Sequence, residues 1–160
     1  MEYEMRWKKR QMSGEQTNGL MARARYGVLC TVDADGCPYG LPISYAYDAP
    51  TRRVFMHCSA AGGHNLDNVV ARPKASFTVV EDAELLPEQF STQYCSAIAT
   101  GTVRIAEGLE KREGIEAILR KLAPDNIEAG MAYIDRAFDR LAVIVLDVDR
   151  MTGKRRPKSA

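Results

Sequence analysis

His57-Cys58-Ser59 closes an apolar run, and a Gly62-Gly63 pair leads directly into His64-Asn65. Both histidines of the chain fall in this stretch. Imidazoles, a thiol, a hydroxyl and an amide beside a glycine pair are groups that can hold an anion or move a proton. The run Val54-Phe55-Met56 reads as a strand and Ala60-Ala61-Gly62-Gly63 as a loop. His64 to Val70 has the three- and four-residue apolar spacing of a short helix. A strand, a glycine loop and a helix start leave backbone N–H groups unpaired, with the positive end of the helix behind them. Glycine lets the chain approach an anion closely, so the stretch reads as a phosphate cradle. A Gly-Gly turn between strand and helix also forms without any ligand, and that reading stands beside the first.

Other chemistries find less support. The chain has no GxxxxGK[ST] and no GxGxxG opening a helix. Cys30, Cys37, Cys58 and Cys95 form no CxxC pair and no zinc-finger cluster. His57, Cys58 and His64 make a poor metal set, because adjacent side chains on a strand point to opposite faces. No metal is expected. A nucleophile at Cys58 or Cys95 would need a histidine base and an oxyanion site, and a cysteine ending a core strand is more often packing. Tyr39, Tyr45, Tyr47 and Tyr94 read as amphipathic wall residues. With no acid, base or nucleophile evident, the chain points to a bound cofactor for any difficult chemistry.

The elements that must position these groups can be read in order. Ser13 and Gln16 form a capping box opening a helix through Ala24, with Leu20, Met21 and Ala24 as its apolar stripe. Strands are expected over Tyr26–Val32, Pro38–Tyr47, Arg53–Ser59, Lys74–Glu81, Gln93–Ile105 and Leu141–Val148. Pro38 and Pro42 cannot donate to a ladder, so part of the second strand must lie at an edge or bulge. Residues 82–90 read as an acidic crossing. Helices are expected over Leu109–Leu122, ended by Pro124, and along Ile127, Met131, Ile134 and Phe138. Early hairpins predict a mainly antiparallel sheet, and strands and helices do not alternate as a doubly wound fold requires. The expected fold is mainly β with peripheral helices, a small six-stranded barrel. It would form a single domain over residues 1–160, with an N-terminal arm at 1–12 and a polar tail at 151–160.

The 160 residues carry a formal net charge of +1, which gives no bulk case for nucleic acid. Basic runs at Arg6-Trp7-Lys8-Lys9-Arg10 and Lys154-Arg155-Arg156-Pro157-Lys158 read as solvated termini. No stretch has the length of a membrane span and no signal-peptide core opens the chain. A cytoplasmic protein with reduced thiols is expected.

Several landmarks, taken together, match one known family. They are Met5-Arg6-Trp7-Lys8-Lys9-Arg10, the strand Gly36-Cys37-Pro38-Tyr39-Gly40-Leu41-Pro42-Ile43-Ser44-Tyr45-Ala46-Tyr47-Asp48, and Val54 to Ala60 with Gly63-His64. Arg72-Pro73-Lys74-Ala75-Ser76-Phe77, Tyr94-Cys95-Ser96-Ala97-Ile98 with Gly101, and Met151-Thr152-Gly153-Lys154 continue the series. In order and spacing the chain resembles the pyridoxamine-phosphate-oxidase-like flavoproteins, and within them the group related to nitroimidazole-resistance proteins. The resemblance implies a split β-barrel homodimer holding FMN in the subunit interface. Another flavin or haem is the alternative cofactor.

By position, Leu41, Pro42, Ile43, Ser44 and Tyr45 would line the isoalloxazine. His57, Cys58, Ser59, Gly63, His64 and Asn65 would surround the ribityl phosphate, with His64 also the candidate catalytic residue. Tyr94 and Ser96 would come from the neighbouring strand or the other subunit. Relatives often carry Gly-His-Lys where this chain has Gly63-His64-Asn65, so the phosphate would lean on His57, His64, Arg72 or Lys74 and the helix end. The implied activity is electron transfer from a nicotinamide donor to a small acceptor such as a nitroaromatic. A non-catalytic flavin- or haem-binding protein for storage or sensing is the rival.

Overall fold

The computed structural model describes residues 4–157, so residues 1–3 of the expected arm and 158–160 of the expected tail lie outside the described residues. Six strands, β1 (Tyr26–Val32), β2 (Pro38–Asp48), β3 (Arg53–Ser59), β4 (Lys74–Leu86), β5 (Ser91–Ile105) and β6 (Leu141–Arg156), close into a barrel. Their order around it is β1-β2-β3-β6-β5-β4, and every neighbouring pair is antiparallel. The four α-helices are α1 (Gly14–Arg23), α2 (His64–Ala71), α3 (Gly108–Leu122) and α4 (Ile127–Ala137).

Alternation along the strands fills the barrel. Leu29, Tyr45, Val54, Met56, Phe77, Val79, Ala97, Ile144 and Leu146 point inward and are fully buried. Tyr45 and Phe77 meet edge to face with ring centres 4.7 Å apart. Each of the larger aliphatic and Phe or Met side chains among them contributes about 1.5–3 kcal/mol by leaving water.

Two helices plug the barrel ends. The Ser13–Gln16 capping box starts α1 as the spacing predicts, and Leu20, Met21 and Ala24 are buried against the barrel core. The Tyr45 hydroxyl donates to the Met21 carbonyl at 2.6 Å, and Lys121 Nζ donates to the Ala24 carbonyl at 2.6 Å, satisfying acceptors at the helix end. At the other end α2 inserts Leu66 and Val69, and buried Asn68 Nδ2 donates to Thr31 Oγ1 at 3.0 Å.

Helices α3 and α4 form a second core outside the barrel, with Ile115, Ile118 and Ile134 on Phe55, Val143 and Val145. Gly114 makes this approach possible, since a Cβ there would stand 2.7 Å from the Phe55 ring. Arg104, bonded to both Glu110 and Asp147, ties the first turn of α3 to the sheet. Away from Arg104, part of the outward surface of β1, β4 and β5 is open among the described residues. Tyr26, Val80 and Ile98 are 67%, 54% and 45% exposed there.

Three boundaries need correction. The expected acidic crossing at 82–90 is largely strand: β4 continues to Leu86 and β5 begins at Ser91, with a register shift between Glu81 and Glu84. Asp82 takes a positive φ of 55° at this bulge, which an Asp tolerates better than most residues. The expected polar tail also belongs to the sheet through Arg156, paired along β5 as far as Tyr94. Neither extension alternates buried and exposed residues, so pairing with β5 rather than a buried face defines it.

Candidate functional site

β2 is flanked by β1 along Pro38–Ser44 and by β3 only along Tyr45–Asp48. Past the Tyr45–Met56 pair the two strands part, and β3 continues to Ser59 against β6 alone. The first half of β2 therefore has one free edge, as its prolines required. A proline has no N–H to give, and the β1–β2 ladder keeps its register through Pro38 and Pro42. Both prolines must then turn their backbone away from β1. Gly40 and Ser44 share their parity, so N–H and C=O groups of this set face the open edge. The side chains of Tyr39, Leu41 and Ile43 take the alternate positions, half-buried.

The glycine loop and the start of α2 stand beside this cleft. Gly62 and Gly63 have φ of +99° and +134°, conformations glycine adopts without a Cβ penalty. No side chain caps α2 at Gly63; its first hydrogen bonds run from the Leu66 and Asp67 N–H groups to the Gly63 carbonyl. The N–H groups of His64 and Asn65 precede those bonds and point out of the helix end. The His64 ring packs on Tyr39 with centres 4.2 Å apart, which fixes the helix against the free strand. His64 Nε2 lies 3.9 Å from Asp33 Oδ2 and is half-exposed. The other Asp33 oxygen accepts from the Asp35 and Cys37 N–H groups, at 3.0 and 2.8 Å, and closes the β1–β2 turn.

The structure gathers part of the expected set. Leu41 to Tyr45 run along β2 where it leaves β3, with Tyr45 itself buried in the barrel core. Cys58 faces the barrel interior and reaches the Asn65 side chain, while Ser59 Oγ accepts from the Ala61 N–H at 3.2 Å. His57 departs from the group. Alternation turns it to the outer face of β3, where it lines a cavity with α3 and α4 residues. Tyr94 and Ser96 also lie elsewhere in the chain. Cys58 pairs with Ala142 near the start of β6, whereas Tyr94 pairs with Arg156 at its end.

The expected cations divide in the same way. Arg72 donates to the carbonyls of Asp33 and Ala34, at 2.8 and 2.9 Å, on the cleft side. Lys74 is bonded to Thr102 and Asp149 at the far edge of β4. Tyr39, read from sequence as an amphipathic wall residue, and Asp33 were not among the expected site residues. Tyr39 shared the parity of Leu41 and was therefore readable, while Asp33 signalled only a turn.

Burial pushes the Cys58 thiol up, and the Asn65 hydrogen bond offsets part of this. The thiolate is the nucleophile, so Cys58 is expected to be unreactive near neutral pH. A thiol reagent at pH 7.5 should modify exposed Cys37 in the fast phase, and Cys37→Ser should remove that phase. Raising the pH should speed Cys58 about tenfold per unit below its pKa, as the thiolate fraction grows. Loss of the fast phase in Cys58→Ser would overturn this.

Among the described residues no group of three or more His, Cys, Asp or Glu could hold a metal ion, and no helix is long and apolar enough to cross a membrane. Solved structures share the fold. A candidate 5-nitroimidazole antibiotic resistance protein from Bacteroides thetaiotaomicron is 22% identical, with a TM-score of 0.76, over 90% of this chain and 85% of that one. The flavocytochrome Anf3 from Azotobacter vinelandii is 17% identical, with a TM-score of 0.81, over 97% of this chain and 73% of that one. An FAD- and haem-binding protein from Mycobacterium smegmatis is 19% identical, with a TM-score of 0.77, over 94% and 77%. No curated protein matches the chain. The family model described as pyridoxamine 5'-phosphate oxidase matches residues 14–155, and the chain belongs to that family.

Proposed function

We propose that the protein is a flavin-binding oxidoreductase, with FMN as its cofactor, that works as a homodimer. One observation carries the reading: the unpaired edge of β2 faces a glycine-opened helix start that no side chain caps. The residues present fit a flavin. The backbone N–H and C=O groups of Gly40 and Ser44, with the Pro42 carbonyl between them, offer donors and acceptors to a planar heterocycle. The His64 and Asn65 N–H groups, with the Ser59 hydroxyl nearby, offer donors to a phosphate. Bound there, a flavin would supply electron transfer between a nicotinamide and a small acceptor, with nitroaromatics as candidate acceptors. The protein's part is to hold the ring edge, anchor the phosphate and shield the cleft from water.

Neutral Cys58 contributes packing rather than a nucleophile. In this reading His64, packed on Tyr39 beside Asp33, would help anchor the phosphate and meet a substrate at the cleft mouth. The uncovered face of β1, β4 and β5 lies on the paired side of β2, one strand away from its free edge, and in this reading a second copy seated on that face and reaching across β2 would close the cleft. Tyr94 and Ser96 lie on the same outward face by alternation with buried Ala97 and Ala99, and a second copy could bring its own pair to the ligand. This gives those two residues a use that their own chain does not.

Haem is the rival, since two of the structural neighbours are a flavocytochrome and an FAD- and haem-binding protein. It fits less well. His57 opens only onto a cavity of about 170 Å³, and His64 is packed on Tyr39 beside Asp33. An absorption spectrum of the purified protein, identification of the heat-released cofactor, and anaerobic NADH or NADPH addition test the reading. Two flavin bands, FMN on release and bleaching by the nicotinamide are expected. A Soret band would replace flavin with haem, and a flavin that stays oxidised would make the protein a non-catalytic carrier or sensor.

A further inference from the structure

The two basic runs at opposite ends of the chain meet in the fold. Beyond Asp147, β3 no longer flanks β6, and the N-terminal arm takes up that edge. Gln11 bridges to Lys154, and the Met12 N–H donates to the Gly153 carbonyl at 2.9 Å. β5 occupies the other edge of β6 as far as Arg156. A cleft of about 280 Å³ separates the arm from the strand, lined by Glu4, Met5, Lys8, Gln11, Arg150 and Thr152. Residues 4–11 and 150–157 hold a single acid, Glu4, which stands 3.2 Å from Lys8 with both side chains mostly exposed. Arg6, Lys8, Lys9 and Arg10 of the arm therefore add to the cations at the end of β6, a local excess that the net charge of +1 conceals. Trp7, the one tryptophan of the chain, is 56% exposed among them. The guanidinium carbons of Arg6 and Arg10 lie 6.0 and 5.5 Å from its ring centre.

We propose that the arm and the end of β6 form a binding surface for single-stranded nucleic acid, in which the cations track the phosphates and a base stacks on Trp7. Such binding requires neither a flavin nor a second copy. Charge alone would suit any polyanion, and Trp7 narrows the class. Single-strand sites combine a basic groove with an aromatic platform, and arginine planes beside the ring add to the stack. A duplex keeps its bases within its own stack, out of reach of an exposed indole. An anionic membrane would need apolar area to bury, and Trp7 is the only large apolar side chain exposed on the arm among the described residues. The arm lies across β6 from β5, so a strand bound along it leaves the Ile98 face to a second copy.

Trp7 fluorescence reports this surface alone, because the chain has no other tryptophan. An oligothymidylate of about twelve nucleotides is titrated into the full chain, beside an abasic strand of the same length and vesicles of phosphatidylserine and phosphatidylcholine. The oligothymidylate should quench Trp7 and bind at least about fivefold more tightly than the abasic strand, which carries the same phosphates. Trp7→Ala, read by anisotropy of labelled strands, should erase that preference and leave the abasic strand's affinity unchanged. Log K should fall with log salt at a slope of about −3, as four or five phosphate contacts give, and Lys8→Gln with Lys9→Gln should flatten it by about 1.4. These side chains are exposed, so the variants keep the fold. Equal affinity for the two strands, an unquenched Trp7 or no binding would overturn the proposal. Vesicles that shift Trp7 emission to the blue while the oligothymidylate leaves it unmoved would overturn it in favour of a lipid surface.

Discussion

Ile98→Arg is expected to yield a folded chain that no longer pairs with a second copy and that loses its flavin in the same step. Ile98 is 45% exposed on the outer face of β5, beside Thr78 of β4 and Thr152 of β6 in the ladder. The substitution leaves the barrel interior untouched, so thermal stability of the single chain should change by no more than about 0.5 kcal/mol. Seated between two copies, the guanidinium would be desolvated without a partner and would face its own symmetry mate. Such a charge costs several kcal/mol, and about 3 kcal/mol already weakens association roughly a hundredfold. If the second copy completes the cleft, flavin affinity must fall with association, because the two equilibria are linked.

Sedimentation velocity and the flavin-to-protein absorbance ratio, read on the same samples, separate the possibilities. A dimer that keeps its flavin would show that another face pairs. A monomer that keeps its flavin would show that one chain completes the site, and would remove Tyr94 and Ser96 from it.

The sequence carried much of the architecture wherever local chemistry sets the structure. The capping box at Ser13 and Gln16, the period of β1, the apolar run of β3, and the two prolines of β2 each dictated what was found. The prolines were the most informative, since a missing N–H constrains which strand edge can be paired whatever else the chain does. Illegible features were those that depend on a distant partner. β4 beyond Glu81 and β6 beyond Val148 have no burial period, and they are strands because β5 offers them a ladder. Closure of the barrel through the β3–β6 and β1–β4 pairs is likewise a long-range result.

Within the candidate site the same division holds. The strand, glycine loop and helix start were local and readable. Placing His57 beside Cys58 in one cradle followed the family pattern over the two-residue period, and the period won. Arg72 and Lys74 were near the cradle in sequence, yet only Arg72 is on its side in space.

Asn65→Lys is expected to tighten FMN about ten- to a hundredfold while leaving riboflavin unchanged. Asn65 occupies the first turn of α2, where its side chain meets the Cys58 thiol and its N–H is among those offered at the helix end. Arg72, on the cleft side, already gives two donors to the carbonyls of the β1–β2 turn, and Asp33 places a carboxylate beside His64. A phosphate here would therefore meet dipoles and neutral donors more than full charges.

An ammonium at position 65 would add a charge-assisted bond, worth about 1.5–3 kcal/mol. It would act on the phosphate and on nothing in the ring system, which is why riboflavin is the control. The gain should also shrink as salt is raised, since the site is open to solvent. Equal gains for FMN and riboflavin would mean that the side chain repacks the cleft rather than binding phosphate. No gain for either would place the phosphate away from the helix end and remove the cradle from the site.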